Sequence, residues 1–194
     1  MFFKKVAAAA AAVCLFAGTA VSAYAETLRI GSETVYPPFE FLNSETGKYD
    51  GFDIDLINAM AKKAGFQPKI ISMGLDGLIP AIRSGSIDVA VSALTITKER
   101  AARVDFTKPY YKSGLSIMTH AKYADKVKSA KDLEGKVLCA EIGSSGALYM
   151  SKIRGTKLKI FNSAAEAFLE INNGGCYAMV NDKPVNDYFL TQKA

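Results

Sequence analysis

Four short stretches of this sequence carry side chains able to bind the poles of a small zwitterion. In Ser92-Ala93-Leu94-Thr95-Ile96-Thr97-Lys98-Glu99-Arg100, Thr97 is placed to cap a helix whose first turn holds Arg100. A cation near a helix N-terminus is electrostatically misplaced unless an anion sits there, and a guanidinium beside free backbone N–H groups makes a bidentate carboxylate clamp. The plainer alternative is a solvent-exposed arginine. Glu141-Ile142-Gly143-Ser144-Ser145-Gly146 repeats the order of strand, small flexible loop and helix, and its backbone donors can complete an anion site. Alone it is also an ordinary turn, and without a Gly-Lys-Ser/Thr run it is not a Walker loop. Asn181-Asp182-Lys183-Pro184 ends a strand with a carboxylate that can hold an ammonium group or cap the helix starting at Pro184. Tyr36 and Phe52 lie beside turns after the first strand; such rings usually pack in a core, but at a cleft they sandwich a side chain. Arg100 for a carboxylate, Asp182 for an ammonium and aromatics between them describe a free α-amino acid.

The elements that must position these residues alternate in type. Strands are predicted at 27–31, 69–71 and 87–91, with a turn at Tyr36-Pro37-Pro38. Between them lie a helix capped by Asp53, with apolar Leu56, Ile57, Met60, Ala61 and Ala64 on one face and Gly65 as its stop, and a second helix over 75–83. The plan then restarts. An extended piece at 114–118 leads to Ser129 as a cap, and strands at 136–140, 158–161 and 177–180 alternate with a helix over 146–153 and another opened by a Ser163/Glu166 capping box and closed by Gly174-Gly175. Two such α/β units, each built on a parallel sheet, leave a cleft beyond the carboxyl ends of their strands.

The chain has 194 residues, 49% of them hydrophobic, and a net charge of +5. That composition excludes collagen, disulfide-rich mini-protein and disordered tail. Lys4 and Lys5 precede an apolar, Ala-rich run from Val6 to Ala17, and with Ala23-Tyr24-Ala25 as the cleavage site this reads as a cleaved secretory signal over residues 1–25. The run is too short to span a bilayer. A lipoprotein signal at Cys14 is disfavoured by Val13 before it and Leu15-Phe16 after it. Those two lysines are among the 24 basic residues, set against 19 acidic ones, so the net charge beyond the signal is +3. With no basic run and a single histidine, His120, nucleic acid is not an expected partner, and neither a metal site nor a cofactor is expected.

At this point the segments become recognisable. The chain from about Leu28 to Leu190 resembles the bacterial extracellular solute-binding proteins of family 3, the periplasmic polar amino acid-binding components of ABC transporters. The resemblance rests on Tyr36-Pro37-Pro38-Phe39-Glu40, Gly51-Phe52-Asp53-Ile54-Asp55-Leu56, Leu94-Thr95-Ile96-Thr97 with Glu99-Arg100, Asp105-Phe106-Thr107-Lys108-Pro109-Tyr110-Tyr111, and Val180-Asn181-Asp182-Lys183-Pro184-Val185. It implies a two-lobed Venus-flytrap α/β fold, with lobe 1 over 26–113, a first hinge strand at 114–118 and lobe 2 over 119–194. It implies a monomer that captures a free amino acid and delivers it to the membrane permease of an ABC transporter, outside the cytoplasm and without catalytic residues.

Carried over by position, Arg100 binds the ligand carboxylate with the backbone at Thr95 and at Ser144 or Ser145. Asp182 binds the α-amino group with the Thr95 hydroxyl and a carbonyl of Ser92 or Ala93. Tyr36 and Phe52 flank the side chain, and Glu33 and Glu141 help select it. Ala93 stands where glycine is common, and Tyr177 where aspartate is. The two glutamates disfavour an acidic ligand and favour arginine, lysine, histidine or glutamine. The same resemblance covers periplasmic enzymes such as cyclohexadienyl dehydratases, in which Glu141 or Glu33 would be a general acid, and sensory ligand-binding domains. Against the family plan the chain reads as C-terminally incomplete, lacking a second hinge strand. Cys139 and Cys176 can form a disulfide if their strands are neighbours, or be buried apolar groups.

Overall fold

A computed structural model describes residues 25–192. The expected signal segment up to residue 24, Cys14 included, lies outside them. The first unit begins with β1 (Thr27–Ser32), followed by three short strands, β2 (Val35–Tyr36), β3 (Glu40–Leu42) and β4 (Tyr49–Asp50). Helix α1 (Phe52–Ala64), β5 (Gln67–Ser72), α2 (Leu75–Arg83), β6 (Val89–Ala90) and the single turn α3 (Lys98–Ala101) complete it. β1 lies between β5 and β6, parallel to both, with Ile30 opposite Ile70 and Val89.

The second unit comprises β7 (Leu115–Thr119), β8 (Val137–Glu141), α4 (Ser145–Met150), β9 (Lys157–Phe161), α5 (Ala164–Asn172), β10 (Ala178–Asp182) and α6 (Lys183–Thr191). Its sheet runs β7-β10-β8-β9 and is parallel except for β7, which pairs antiparallel with β10. The fold is therefore two-lobed α/β with a mainly parallel sheet in each lobe. The stretch expected at 114–118 is the edge strand β7, one residue displaced.

Local chemistry explains the boundaries. α1 ends at Gly65, which takes the left-handed conformation with φ 79° and donates its N–H to Ala61. Its start differs from expectation: Gly51, at φ 114°, is the N-cap, and Asp53 is buried in the first turn instead. A Cβ at Gly51 would sit 2.4 Å from the Phe39 carbonyl oxygen, so no other residue fits that corner. Ser163 caps α5 by accepting from the Glu166 N–H, and the Glu166 carboxylate accepts in turn from the Asn162 N–H. α4 is shorter than expected, ending at Met150.

Apolar faces then close the layers. Ile30, Ile57 and Val91 form one buried cluster, and Leu133, Leu138, Ala140, Met150, Ala178 and Val180 another. Each fully buried Leu or Ile contributes roughly 1.5–3 kcal/mol. A third cluster joins Tyr36 and Phe39 of the first unit to Cys139, Phe168, Cys176, Met179 and Val185 of the second. Within it Cys139 and Cys176 are disulfide-bonded, tying β8 to the turn before its neighbour β10. Tyr177 lies against the Tyr123 ring at 4.5 Å, with the Lys136 ammonium over its face, which gives its side chain a packing role.

Candidate functional site

The site is assembled from strand ends. Glu33 and Tyr36 follow β1, the segment from Ser92 to Thr95 follows β6, and Arg100 lies in α3. From the second unit, Glu141 ends β8, Ser144 caps α4, Ser145 opens it, and Asp182 ends β10. All of these residues line one cavity between the units, together with Leu75 and Asn181. Among the residues expected at the site, Phe52 is not brought into it. Its ring packs instead against Phe39, Tyr110 and Tyr111. The apolar wall that sequence reasoning missed is Leu75, the first residue of α2. The usable signal was its place directly beyond the β5 strand end.

Arg100 spans the cleft. Its guanidinium donates to the Thr95 carbonyl at 2.8 Å and to the Gly143 carbonyl of the second unit at 2.9 Å. Thr97 caps α3, its hydroxyl oxygen accepting from the Arg100 N–H. Burial lowers the Arg100 pKa, while the charges of Asp182 and Glu141 raise it, and the group stays cationic. The Thr95 hydroxyl lies 3.5 Å from that of Ser145, and the Ser144 hydroxyl accepts from the Ala147 N–H at 3.0 Å. Opposite, the Tyr36 hydroxyl donates to Asn181 Oδ1 and Asp182 Oδ2, both at 2.9 Å. Burial pushes the Asp182 carboxyl above its ordinary range, and the Tyr36 hydroxyl and Arg100 pull it back.

Glu33 and Glu141 face each other at the remaining end. They are 3% and 1% exposed, and Glu33 Oε1 and both Glu141 carboxyl oxygens accept no hydrogen bond among the described residues. Burial raises both carboxyls, Glu33 to about 7 and Glu141, with Glu33's charge beside it, to about 10. Near neutral pH the pair therefore retains a proton. The arrangement offers a cation for an anion, a carboxylate for a cation, and beyond them more carboxyl oxygens than the pair's own proton can satisfy. The described residues contain no group of three or more His, Cys, Asp or Glu side chains arranged to hold a metal ion.

Residues 28–188 match the family described as Bacterial extracellular solute-binding proteins, family 3. A probable histidine-binding protein of Campylobacter jejuni subsp. jejuni is 36% identical over 166 residues, which cover 86% of this chain and 64% of that protein's length. Among solved structures, an ancestral arginine-binding protein bound to arginine is 41% identical with a TM-score of 0.82, covering 86% of this chain and 74% of that one. An ancestral amino acid-binding protein described as a precursor of cyclohexadienyl dehydratase is 38% identical with a TM-score of 0.80, covering 84% and 74%.

Proposed function

Because the chain belongs to the bacterial extracellular solute-binding proteins of family 3, we propose that it captures a free L-amino acid with a cationic or amide side chain for an ABC transporter. The observation that carries the side-chain preference is the set of three unpartnered carboxyl oxygens on buried Glu33 and Glu141, in the same cavity as Arg100 and Asp182. Buried acceptors without donors are costly, and a guanidinium, imidazolium, ammonium or amide group supplies donors. An acidic side chain would bring a further carboxylate against a buried pair that already repels charge, and is rejected. The histidine-binding relative and the arginine-bound ancestral structure support the same ligand class.

In this reading the ligand carboxylate takes the Arg100 donors in exchange for the Thr95 and Gly143 carbonyls, helped by backbone N–H groups at Thr95 and Ser144 or Ser145. The ammonium group binds Asp182, the Thr95 hydroxyl and a carbonyl of Ser92 or Ala93. Tyr36 and Leu75 flank the aliphatic part of the side chain, the latter in the place sequence reading gave to Phe52. Lobe 1 over 26–113 and lobe 2 over 119–194 close on the ligand about the 114–118 strand. A signal cleaved after Ala25 sends a monomer to the periplasm or cell exterior, where the closed form docks on the permease. The same groups hold a ligand at both poles, which favours binding without turnover.

A thermal-shift screen of the free amino acids tests this. At a ligand concentration ~100 times its Kd, stabilisation is about 2.7 kcal/mol. Arginine, lysine, histidine or glutamine should raise Tm, and aspartate and glutamate should not. A flat response to all of them, or a preference for the acidic pair, overturns the reading.

A further inference from the structure

We propose that Glu40 and Asp53, which line no part of the ligand cavity, share a single proton and act as a positioning pair that holds the Ser92–Ala93 segment in its ligand-facing conformation. Both side chains are fully buried, Glu40 on β3 and Asp53 in the first turn of α1. Glu40 Oε1 accepts from the Ser92 hydroxyl at 2.8 Å, and that hydroxyl accepts from the Glu33 N–H at 2.9 Å. Asp53 Oδ2 accepts from the Ala93 N–H at 2.6 Å and from the Tyr110 hydroxyl at 2.8 Å. The two carboxyls thus grip consecutive residues of the segment that ends at Thr95.

The grip has a purpose. Ala93 has φ 44°, in the left-handed region that residues other than glycine avoid, so the surroundings must impose its conformation. What remains on each carboxyl is one oxygen, Glu40 Oε2 and Asp53 Oδ1, both buried and without a donor. The Asp53 N–H donates to the carbonyl of Phe39, next to Glu40, at 2.8 Å, and the two carboxyls hold the adjacent residues Ser92 and Ala93, which brings the groups together. Among the described residues no lysine or arginine pairs with either group. Glu33 and Tyr110 are the other titratable groups acting on the pair. Two adjacent buried carboxylates with no counter-ion repel, whereas one proton between Oε2 and Oδ1 turns repulsion into a charge-assisted hydrogen bond and leaves the outer oxygens free to accept. Burial, together with the neighbouring Asp53 charge, lifts Glu40 well above the ordinary carboxylate range, and burial lifts Asp53 as well. Raising the pH removes the shared proton, the carboxyls separate, and Ser92 and Ala93 lose their anchors.

Glu40→Gln tests this, since its amide donates permanently to Asp53 Oδ1 while its carbonyl accepts from Ser92. The probe is L-arginine, and this arm rests on the amino acid-binding reading. The ratio of variant to wild-type affinity cancels the titration of the ligand and of Glu141. It should lie within about threefold of unity near pH 6 and rise towards about tenfold as the wild type releases the shared proton at higher pH, while Glu40→Ala loses at least about tenfold near pH 6. A ratio constant with pH overturns the proposal. The second arm needs no ligand and no Glu40 variant. In Glu141→Gln protein at about pH 8.5, where an ordinary carboxyl is fully ionised, infrared spectra should retain a carboxylic-acid carbonyl band that shifts when aspartate or glutamate is labelled with carbon-13. Absence of that band overturns the shared proton. If no amino acid binds the wild type, the transport reading fails while the band still decides the pair.

Discussion

The Tyr36 hydroxyl reaches from the first lobe to the Asp182 carboxylate of the second, 2.9 Å away. A residue whose ring fits a ligand-flanking role thus also orients the carboxylate proposed to take the ammonium group. Tyr36→Phe keeps the buried ring against Phe39 but leaves Asp182 and Asn181 without their donor. Loss of one such bond to a charged group costs about 1.5–3 kcal/mol, so ligand Kd should rise ten- to a hundredfold by calorimetry. The Tyr36 hydroxyl also lowers the Asp182 pKa. Without it Asp182 is protonated at higher pH, and binding should fail earlier as pH falls than in the wild type.

Glu141→Gln separates the candidate ligands. A cationic side chain loses an opposing carboxyl, whereas glutamine exchanges one hydrogen-bonding partner for another. Calorimetry should give an L-arginine Kd raised by about tenfold or more and an L-glutamine Kd changed by less than about threefold. Equal losses for both ligands would sink the assignment of Glu141 to the side-chain end.

Proton linkage supplies an independent reading of the same pair. Glu33 and Glu141 have folded pKa values raised to about 7 and about 10. The folded state therefore holds protons that the unfolded chain has released above about pH 4.5. The stability they contribute is fully present below that pH and is lost as pH rises through the folded values. Tm of the protein without added amino acid should fall between about pH 5 and pH 9, with a limiting slope of ~1.4 kcal/mol per pH unit for each retained proton. Glu141→Gln should flatten the curve. A cationic ligand displaces the proton, so heats of arginine binding near neutral pH should vary with the ionisation enthalpy of the buffer, and those of glutamine much less.

The Cys139–Cys176 bond closes a loop with a sequence separation of 37. Chain-entropy arguments give such a crosslink roughly 3–4 kcal/mol. Replacing both cysteines by alanine should lower Tm by several degrees and shift the denaturant midpoint, with ligand affinity changed little at temperatures where the variant is folded. An unchanged midpoint would show that the crosslink constrains nothing the sheet does not already hold.

The α/β alternation and most of the residues that share the candidate cavity were legible because their signals are local. Thr97, Ser163 and Gly65 punctuate helices through their own side chains or lack of one, and Arg100, Glu141 and Asp182 each end or follow a readable strand. The β2-β3-β4 meander was not legible: strands of two or three residues are too short for alternation, and Pro37-Pro38 reads as a break. Asp53 looked like a cap because Asp favours that position, yet the strained corner at Gly51 takes the cap and leaves Asp53 to the Ala93 N–H, a contact 40 residues away. Phe52 lies off the cavity and Leu75 on its wall for a similar reason. Which apolar residue walls a cavity depends on how two helices are laid on one sheet, and no local pattern records that.

One close approach in the second lobe bears on the shape of the ligand itself. A Cβ on Gly146 would lie 2.0 Å from the Val180 carbonyl oxygen, so the first turn of α4 rests directly on β10. Ser144, Ser145 and Asp182 are thereby fixed on one rigid plate, unable to adjust separately. With Arg100 and the Glu33–Glu141 end defining two further directions, the proposed ligand meets three fixed, non-collinear points. Mirror-image molecules cannot satisfy three such points alike, so under the proposed function this single missing methyl group implies a cavity that reads handedness, preferring an L-amino acid to its D-enantiomer.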